Sequence, residues 1–419
     1  MSQSEMKLTK LEKYWILYDV GNSAFILLVA TIIPIYFKNI AKSYGITDAN
    51  STAYWGYAIS ISTLIVAVLG PILGTLADTK GYKKPLFTLF LMLGVLGCAS
   101  LSLPMTWIVF LVVFVFAKVG VSGSLIFYDA MLSDITTDDR MDLLSSLGYA
   151  WGYIGSCIPF TISLVLIMLA DKLSLTSTFA TGIAFILNAA WWFFITMPLL
   201  KKYKQIHYVE VEKNAVGHAF IRLGAVLKDI KKQKEIFTFL LAFFFYIDGV
   251  YTIIEMATSY GKDVGISDNN LLFALLLTQV VAFPCAIAFG KMSKKYKTKD
   301  LISFCIIGYF LIALFALQLD RTWEFWFLAV CVAMFQGAIQ AFSRSYFAKI
   351  IPKEKSNEYF GFFDIFGKGA SFMGTMLMGI TTQISGNSKT GVAFISLMFV
   401  IGFIIFRKAT KMQKNYRVS

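Results

Sequence analysis

Charge is scarce in this chain. Only 15% of its 419 residues are Asp, Glu, Lys or Arg, and 57% are hydrophobic, whereas a soluble protein carries about 25% charged residues. That shortfall excludes an ordinary water-soluble globule. Histidine is nearly absent: His207 and His218 both lie in one polar loop, so no imidazole relay is expected inside apolar segments. The five cysteines (Cys98, Cys157, Cys285, Cys305 and Cys331) stand singly in apolar stretches. They lack the spacing of a disulfide framework or zinc site and read as small core hydrophobes. No metal and no cofactor are expected. There is no phosphate-binding glycine loop, which removes ATP coupling, and no nucleophile–base set that would suggest an enzyme. The longest polar stretch, 201–235, is too short for the soluble domain a receptor or scaffold would carry. The first residues, MSQSEMKLTKLEK, are polar, so no cleavable signal peptide is expected.

What the chain has is long apolar runs. A window of about 19 residues predicts twelve spans: 15–37, 54–77, 85–103, 107–132, 144–169, 177–200, 236–260, 269–290, 300–318, 323–350, 357–382 and 389–408. The fold class expected is an all-α polytopic membrane protein of two pseudo-symmetric six-helix bundles, 1–200 and 236–419, joined by a linker over 201–235. Lys and Arg crowd the loops on the side of both termini (Lys80, Lys83 and Lys84; Lys201, Lys202 and Lys204; Lys291 to Lys297; Lys408 onward) and are sparse on the other. Both termini are therefore expected in the cytoplasm, in a bacterial-type plasma membrane. The net charge of +13 then points to an anionic inner leaflet as partner rather than nucleic acid. In the linker, Phe220, Leu223, Leu227 and Ile230 fall at helical spacing opposite Lys228, Lys231 and Lys232, the pattern of a short amphipathic helix lying on that leaflet.

Polar groups inside the spans are few and clustered. The first span carries Asp19 and Asn22, three apart and so on one face. A charge at mid-bilayer costs roughly 2.5–3.5 kcal/mol on insertion scales, so that face needs water or a partner. Lys118 and Asp129 lie in the fourth span and Asp248 and Glu255 in the seventh. Gln336, Gln340 and Arg344 lie in the tenth at i, i+4, i+8, and Asp364 and Lys368 in the eleventh. The halves also echo one another: Tyr18-Asp19-Val20-Gly21 with Tyr246-Ile247-Asp248-Gly249, and Ser146-Leu147-Gly148-Tyr149 with Tyr359-Phe360-Gly361-Phe362. Repeated halves suit transport by rocking about a site at the repeat interface.

The turn after the second span, Gly74-Thr75-Leu76-Ala77-Asp78-Thr79-Lys80-Gly81-Tyr82-Lys83-Lys84, resembles the loop signature of the major facilitator superfamily, with Thr79 where arginine is usual. YDVGNSAF (18–25), SSLGYAWGYIG (145–155), DGVYTIIEMATSYGKDVGIS (248–267) and the stretch 337–374 resemble its vacuole-effluxer-like branch. The resemblance implies the major facilitator fold, a central cavity lined by the first, fourth, seventh and tenth spans, and an effluxer-like role, amino-acid efflux in the branch's best-known eukaryotic member.

Depth along the spans divides the polar groups in two. Asp248 with Lys118 and Lys368, and Gln336 and Asn22 as hydrogen-bonding neighbours, form the expected substrate and coupling tier, with Asp19 and Glu255 as further proton-coupling candidates. Arg344 with Asp129, Asp19 or Asp364, together with Asp78 in the signature turn, forms the expected cytoplasmic gate. A site of both signs suits a zwitterion. The function read from the sequence is secondary active transport of a small polar or zwitterionic solute by alternating access, in a monomer, with proton coupling and outward movement as further expectations. An amphiphilic or lipid-like substrate or drug, or facilitative uniport, is the alternative.

Overall fold

The computed structural model describes residues 7–210, 233–263, 265–385 and 388–416. These residues are almost wholly helical. In chain order the helices are α1 (Lys10–Ala30), α2 (Ile32–Ser43), α3 (Asp48–Asp78), α4 (Lys83–Ser100), α5 (Trp107–Ala130), the single turn α6 (Leu132–Ile135), α7 (Met141–Met168), α8 (Ser177–Lys202), α9 (Lys234–Asp263), α10 (Asp268–Met292), α11 (Thr298–Ala316), α12 (Thr322–Ile350), α13 (Ser356–Ser385) and α14 (Ser388–Tyr416). The stretch through Phe220, Leu223, Leu227 and Ile230 lies outside the described residues.

Helix starts follow local chemistry. Thr9 and Glu12 form a reciprocal capping box on α1: the Glu12 N–H donates to Thr9 Oγ1 at 3.1 Å and the Thr9 N–H to Glu12 Oε2 at 2.7 Å, which satisfies two otherwise orphaned donors. Thr47, Thr106 and Thr176 cap α3, α5 and α8 from one side only, each side-chain oxygen accepting from the backbone N–H three residues on. The single first span expected over 15–37 is corrected to two helices, α1 and α2, bent by 40° at Thr31. Pro34 explains the break: it has no N–H to give the Ala30 carbonyl, and its ring crowds that turn.

Among the described residues ten helices are long and apolar enough to cross a membrane, eleven if the bent pair α1–α2 is one span. The one expected span outside that count, the eleventh (357–382), is α13, which has 30 residues. At 1.5 Å per residue it runs about 45 Å, ample for a hydrocarbon core of about 30 Å. Its composition is what sets it apart, since Asp364, Lys368 and several glycines dilute its apolar face.

The chain divides into two compact units. The first comprises 1–136, 151–215 and 353–361, and the second 137–150, 216–352 and 362–419. This grouping departs from the division at 200 and 236 in two places: the start of α7 belongs with the second unit, and the start of α13 with the first. In the first unit α4 packs along α5 and α1 along α8; in the second, α9 lies along α14 and α10 along α12. Aromatic rings fill both interiors. Phe25 stacks on Trp192 in the first, and in the second Phe363 is sandwiched between Phe243 (4.1 Å) and Phe347 (4.9 Å).

Candidate functional site

In the first unit the polar face expected on α1 is real and is met by α5. Asp19 is 6% exposed and accepts a hydrogen bond from Tyr128 Oη at 2.7 Å. Tyr18 shares a hydrogen bond with Ser124 at 2.6 Å, and Trp15 donates to the Tyr128 carbonyl at 3.1 Å while stacking on its ring. Asn22 spends one amide N–H on the Tyr18 carbonyl at 3.1 Å, a bond back along its own helix. Lys118 and Asp129 sit on the same α5, each partly buried.

In the second unit Asp248 is fully buried on α9. Thr252, one turn on, donates to its Oδ1 at 3.4 Å, while Oδ2 is buried with no hydrogen-bond partner among the described residues. Gly374 of α13 passes so close that any Cβ there would collide with Asp248 Oδ1 and Thr252 Oγ1. The Asp248–Lys368 pairing expected from the sequence is corrected. Lys368 reaches one turn back along α13 to Asp364 at 2.7 Å, and the pair is partly exposed. The i, i+4 spacing makes that contact without any rearrangement of neighbouring helices. Glu255, an exposed residue, accepts from Ser371 Oγ at 2.8 Å. Gln336 is 5% exposed and its Nε2 is buried without a partner, whereas Gln340 donates to the Gln336 carbonyl at 2.9 Å.

Two of the residues expected at the gate, Asp78 and Arg344, sit in dense polar clusters, whereas Asp364 pairs with Lys368 along its own helix. In the first unit the Asp78 carboxylate ends α3 and caps the start of α13. Its Oδ1 accepts from the Asn357 N–H (2.9 Å) and Asn357 Nδ2 (2.6 Å), and its Oδ2 from the Glu358 N–H (2.9 Å). This is N-capping supplied from another helix: the carboxylate meets orphaned donors at the positive end of the helix dipole. Gly74 makes the approach possible, because a Cβ there would lie 2.5 Å from the Asn357 carbonyl oxygen. In the second unit Arg344 is 2% exposed. It donates from Nε to Ser145 Oγ at 2.9 Å and from Nη2 to the Ser145 carbonyl at 3.1 Å, and its guanidinium lies 4.6 Å over the Tyr149 ring.

Two acids beside these clusters were passed over by the sequence reading. Asp134 accepts from Lys83 Nζ (2.8 Å), Tyr203 Oη (2.5 Å), the His207 N–H (2.9 Å) and His207 Nδ1 (3.0 Å). Asp142 accepts from Ser345 Oγ (2.5 Å), Thr298 Oγ1 (2.6 Å) and Lys349 (2.6 Å). Both lie in the polar run SDITTDDRMD (133–142), which reads as a solvated loop. The available signal was their equivalent placement, one before and one after the loop turn, opposite the basic ends of α4 and α12. Among the described residues no group of three or more His, Cys, Asp or Glu is placed to hold a metal.

The sequence matches the family described as "Vacuole effluxer Atg22 like" over residues 9–417. It is 45% identical over 404 residues to the MFS-type transporter YxiO of Bacillus subtilis, covering 95% of this chain and 94% of that one. It is 24% identical to autophagy-related protein 22 of Cryptococcus neoformans over 62% of this chain, which spans half the length of that relative. Among solved structures, FucP in its outward conformation superposes with a TM-score of 0.74 at 14% identity, over 96% of this chain and 97% of that one. The human organic anion transporter MFSD10 superposes at 0.69 and 12%, over 97% and 100%. These relatives are transporters and not enzymes, and an integral multi-pass membrane protein of the same architecture is what the helices build. The chain belongs to the Atg22-like vacuole effluxer family, within the major facilitator fold.

Proposed function

We propose that this transporter moves a small polar or zwitterionic solute, an amino acid or a close relative of one, by alternating access, with outward movement as the direction and a proton as the coupling ion. The observation that carries the reading is Asp248, a fully buried carboxyl group with one oxygen unpartnered. A buried acceptor without a donor is unfavourable by about 1–3 kcal/mol, more when it bears charge. It is relieved by a proton on the carboxyl itself or by a substrate ammonium, and exchange between those two is the elementary step of proton-coupled transport of a cationic or zwitterionic group. Asp19, Asn22, Lys118, Glu255, Gln336 and Lys368 supply the further polar groups proposed for substrate and coupling. Asp78, Asp129, Arg344 and Asp364 are proposed for the gate, and the basic loops support a cytoplasmic position for both termini.

Reconstituted vesicles with an imposed proton gradient test this directly. Wild-type protein is expected to accumulate a labelled amino acid against its gradient. Asp248→Asn is expected to lose accumulation while still exchanging substrate across the membrane at equilibrium, because the amide keeps shape and hydrogen bonding but carries no titratable proton. Full gradient-driven accumulation by Asp248→Asn would remove this residue from the coupling role.

A further inference from the structure

Inside the second unit a cavity of ≈ 130 Å³ opens among all six of its long helices, α9 to α14. Ile253, Leu275, Ala313, Leu328, Met378 and Ile395 are typical of its wall, and among the described residues no Asp, Glu, Lys, Arg or His lines it. Five of the described polar side chains line it. Three are already committed: Tyr260 Oη donates to the Ala316 carbonyl at 2.6 Å, Thr278 Oγ1 to the Leu275 carbonyl at 2.6 Å, and Thr252 Oγ1 to Asp248 at 3.4 Å. Gln279 of α10 is only half-buried. Gln336 is different. It lines the cavity from α12, is 5% exposed, and its Nε2 is buried with no acceptor among the described residues.

These features restrict what fits. A water would need two to four polar partners, and the walls are overwhelmingly aliphatic. An ion would lose its hydration with no counter-charge on the lining, a penalty of several kcal/mol. An apolar cavity of about 150 Å³ takes a molecule the size of benzene, so this one takes a single compact ring or short branched chain. One acceptor oxygen on that molecule would relieve the buried amide.

We propose that this cavity is a binding site for a compact neutral amphiphile, an alcohol or ketone of about ring size, whose oxygen accepts from Gln336 Nε2 while its carbon skeleton fills the apolar remainder. The site shares Gln336 with the polar groups proposed for transport, and its Thr252 bonds Asp248, but it is tested by binding alone, so its failure is distinguishable from failure of the transport reading.

The test uses the purified full chain in lipid nanodiscs and three probes of matched size: cyclohexanol, methylcyclohexane and the cyclohexylammonium ion. Binding is read by saturation-transfer NMR and by the thermal midpoint. Cyclohexanol is expected to bind saturably and to raise the midpoint. Methylcyclohexane is expected to bind about fivefold more weakly, the worth of one neutral hydrogen bond, and the ammonium ion not at all. Ala313→Leu and, independently, Ala274→Leu push side-chain volume into the space. Each is expected to abolish saturable cyclohexanol binding; the thermal midpoint of each variant reports its folding, and if one does not fold the other carries the comparison. Gln336→Leu is expected to bring cyclohexanol down to the level of methylcyclohexane. Absence of saturable binding to the wild-type chain, unchanged binding to a folded filled variant, or preference for the ammonium ion overturns the proposal.

Discussion

Asp134 shows how a single residue can organise a polar cluster that its sequence neighbourhood disguises. Its side chain and that of Lys83 are both fully buried, 2.8 Å apart. Burial alone would raise its pKa, but the Lys83 ammonium and the hydrogen bonds from Lys83, Tyr203 and the His207 backbone outweigh it and hold the carboxyl below its usual range. Since the folded value lies below the unfolded one of about 3.9, the resulting stability is complete above that pH and is lost as pH falls through the folded value. Asp134→Asn is therefore expected to lower the thermal midpoint at neutral pH, with the gap to wild type closing under acid; a constant gap would show that charge is not what Asp134 contributes. Asp134→Ala, which strands a buried Lys83, is expected to destabilise by about 3–5 kcal/mol, measurable by denaturant titration of the solubilised protein. None of this was legible in SDITTDDR, because local composition cannot tell a solvated acid from one that meets a lysine about fifty residues away. By contrast the Tyr128 hydroxyl that meets Asp19 from α5 was foreshadowed by the cost of that carboxylate, which demands a polar neighbour even when it does not name one.

At the scale of the helix, the periodic apolar signal located the elements well. The expected spans 177–200 and 323–350 are Ser177–Lys202 and Thr322–Ile350 in the structure, because desolvating twenty apolar residues dominates every competing local preference. It did not locate the break at Thr31. Pro71, Pro159, Pro198 and Pro284 lie within continuous helices, so proline alone does not announce a bend. Glycine placement is the finer signal. The Gly70-x-x-x-Gly74 face of α3 admits the start of α13: Gly70 faces Gly361, and Gly74 faces the Asn357 backbone. Gly74→Ala is expected to cost about 1–3 kcal/mol, as overpacking against immovable backbone does. Gly379→Ala on α13, where nothing lies within 4 Å of the new methyl, is expected to be neutral or stabilising by up to about 1 kcal/mol. Thermal melts of the two variants side by side separate packing from helix propensity, and a Gly74→Ala variant as stable as Gly379→Ala would show that the close approach to Asn357 does not restrict this position.

For the whole molecule, the informative feature is that each compact unit incorporates a short segment from the other half of the sequence, 353–361 in the first and 137–150 in the second. The two docked segments are chemically parallel. The start of α13 meets Asp78 and glycines of α3, and the start of α7 meets Arg344 and Ser345 of α12 and Gly290 of α10, where a Cβ would lie 2.8 Å from Ser146. The repeat in sequence thus reappears as a repeat in docking. The gate role proposed for Asp78 makes a specific demand on this arrangement: a transport cycle that uses it must undo the cap on α13 once per turnover. Thr75 Oγ1 and Glu358 Oε2, 3.3 Å apart in the same cluster, offer a place to forbid that step without touching Asp78. In a chain with its five cysteines replaced by serine or alanine, Thr75→Cys and Glu358→Cys joined by a short bifunctional thiol reagent are expected to stop flux in vesicles almost completely, and a reductant-cleavable version of the reagent is expected to restore it on reduction. Either single cysteine treated alike should retain flux, which excludes simple modification. Undiminished flux through the fully cross-linked double variant, its cross-link verified by mass spectrometry, would mean that α3 and the start of α13 stay docked throughout transport and that Asp78 is a structural cap rather than a gate.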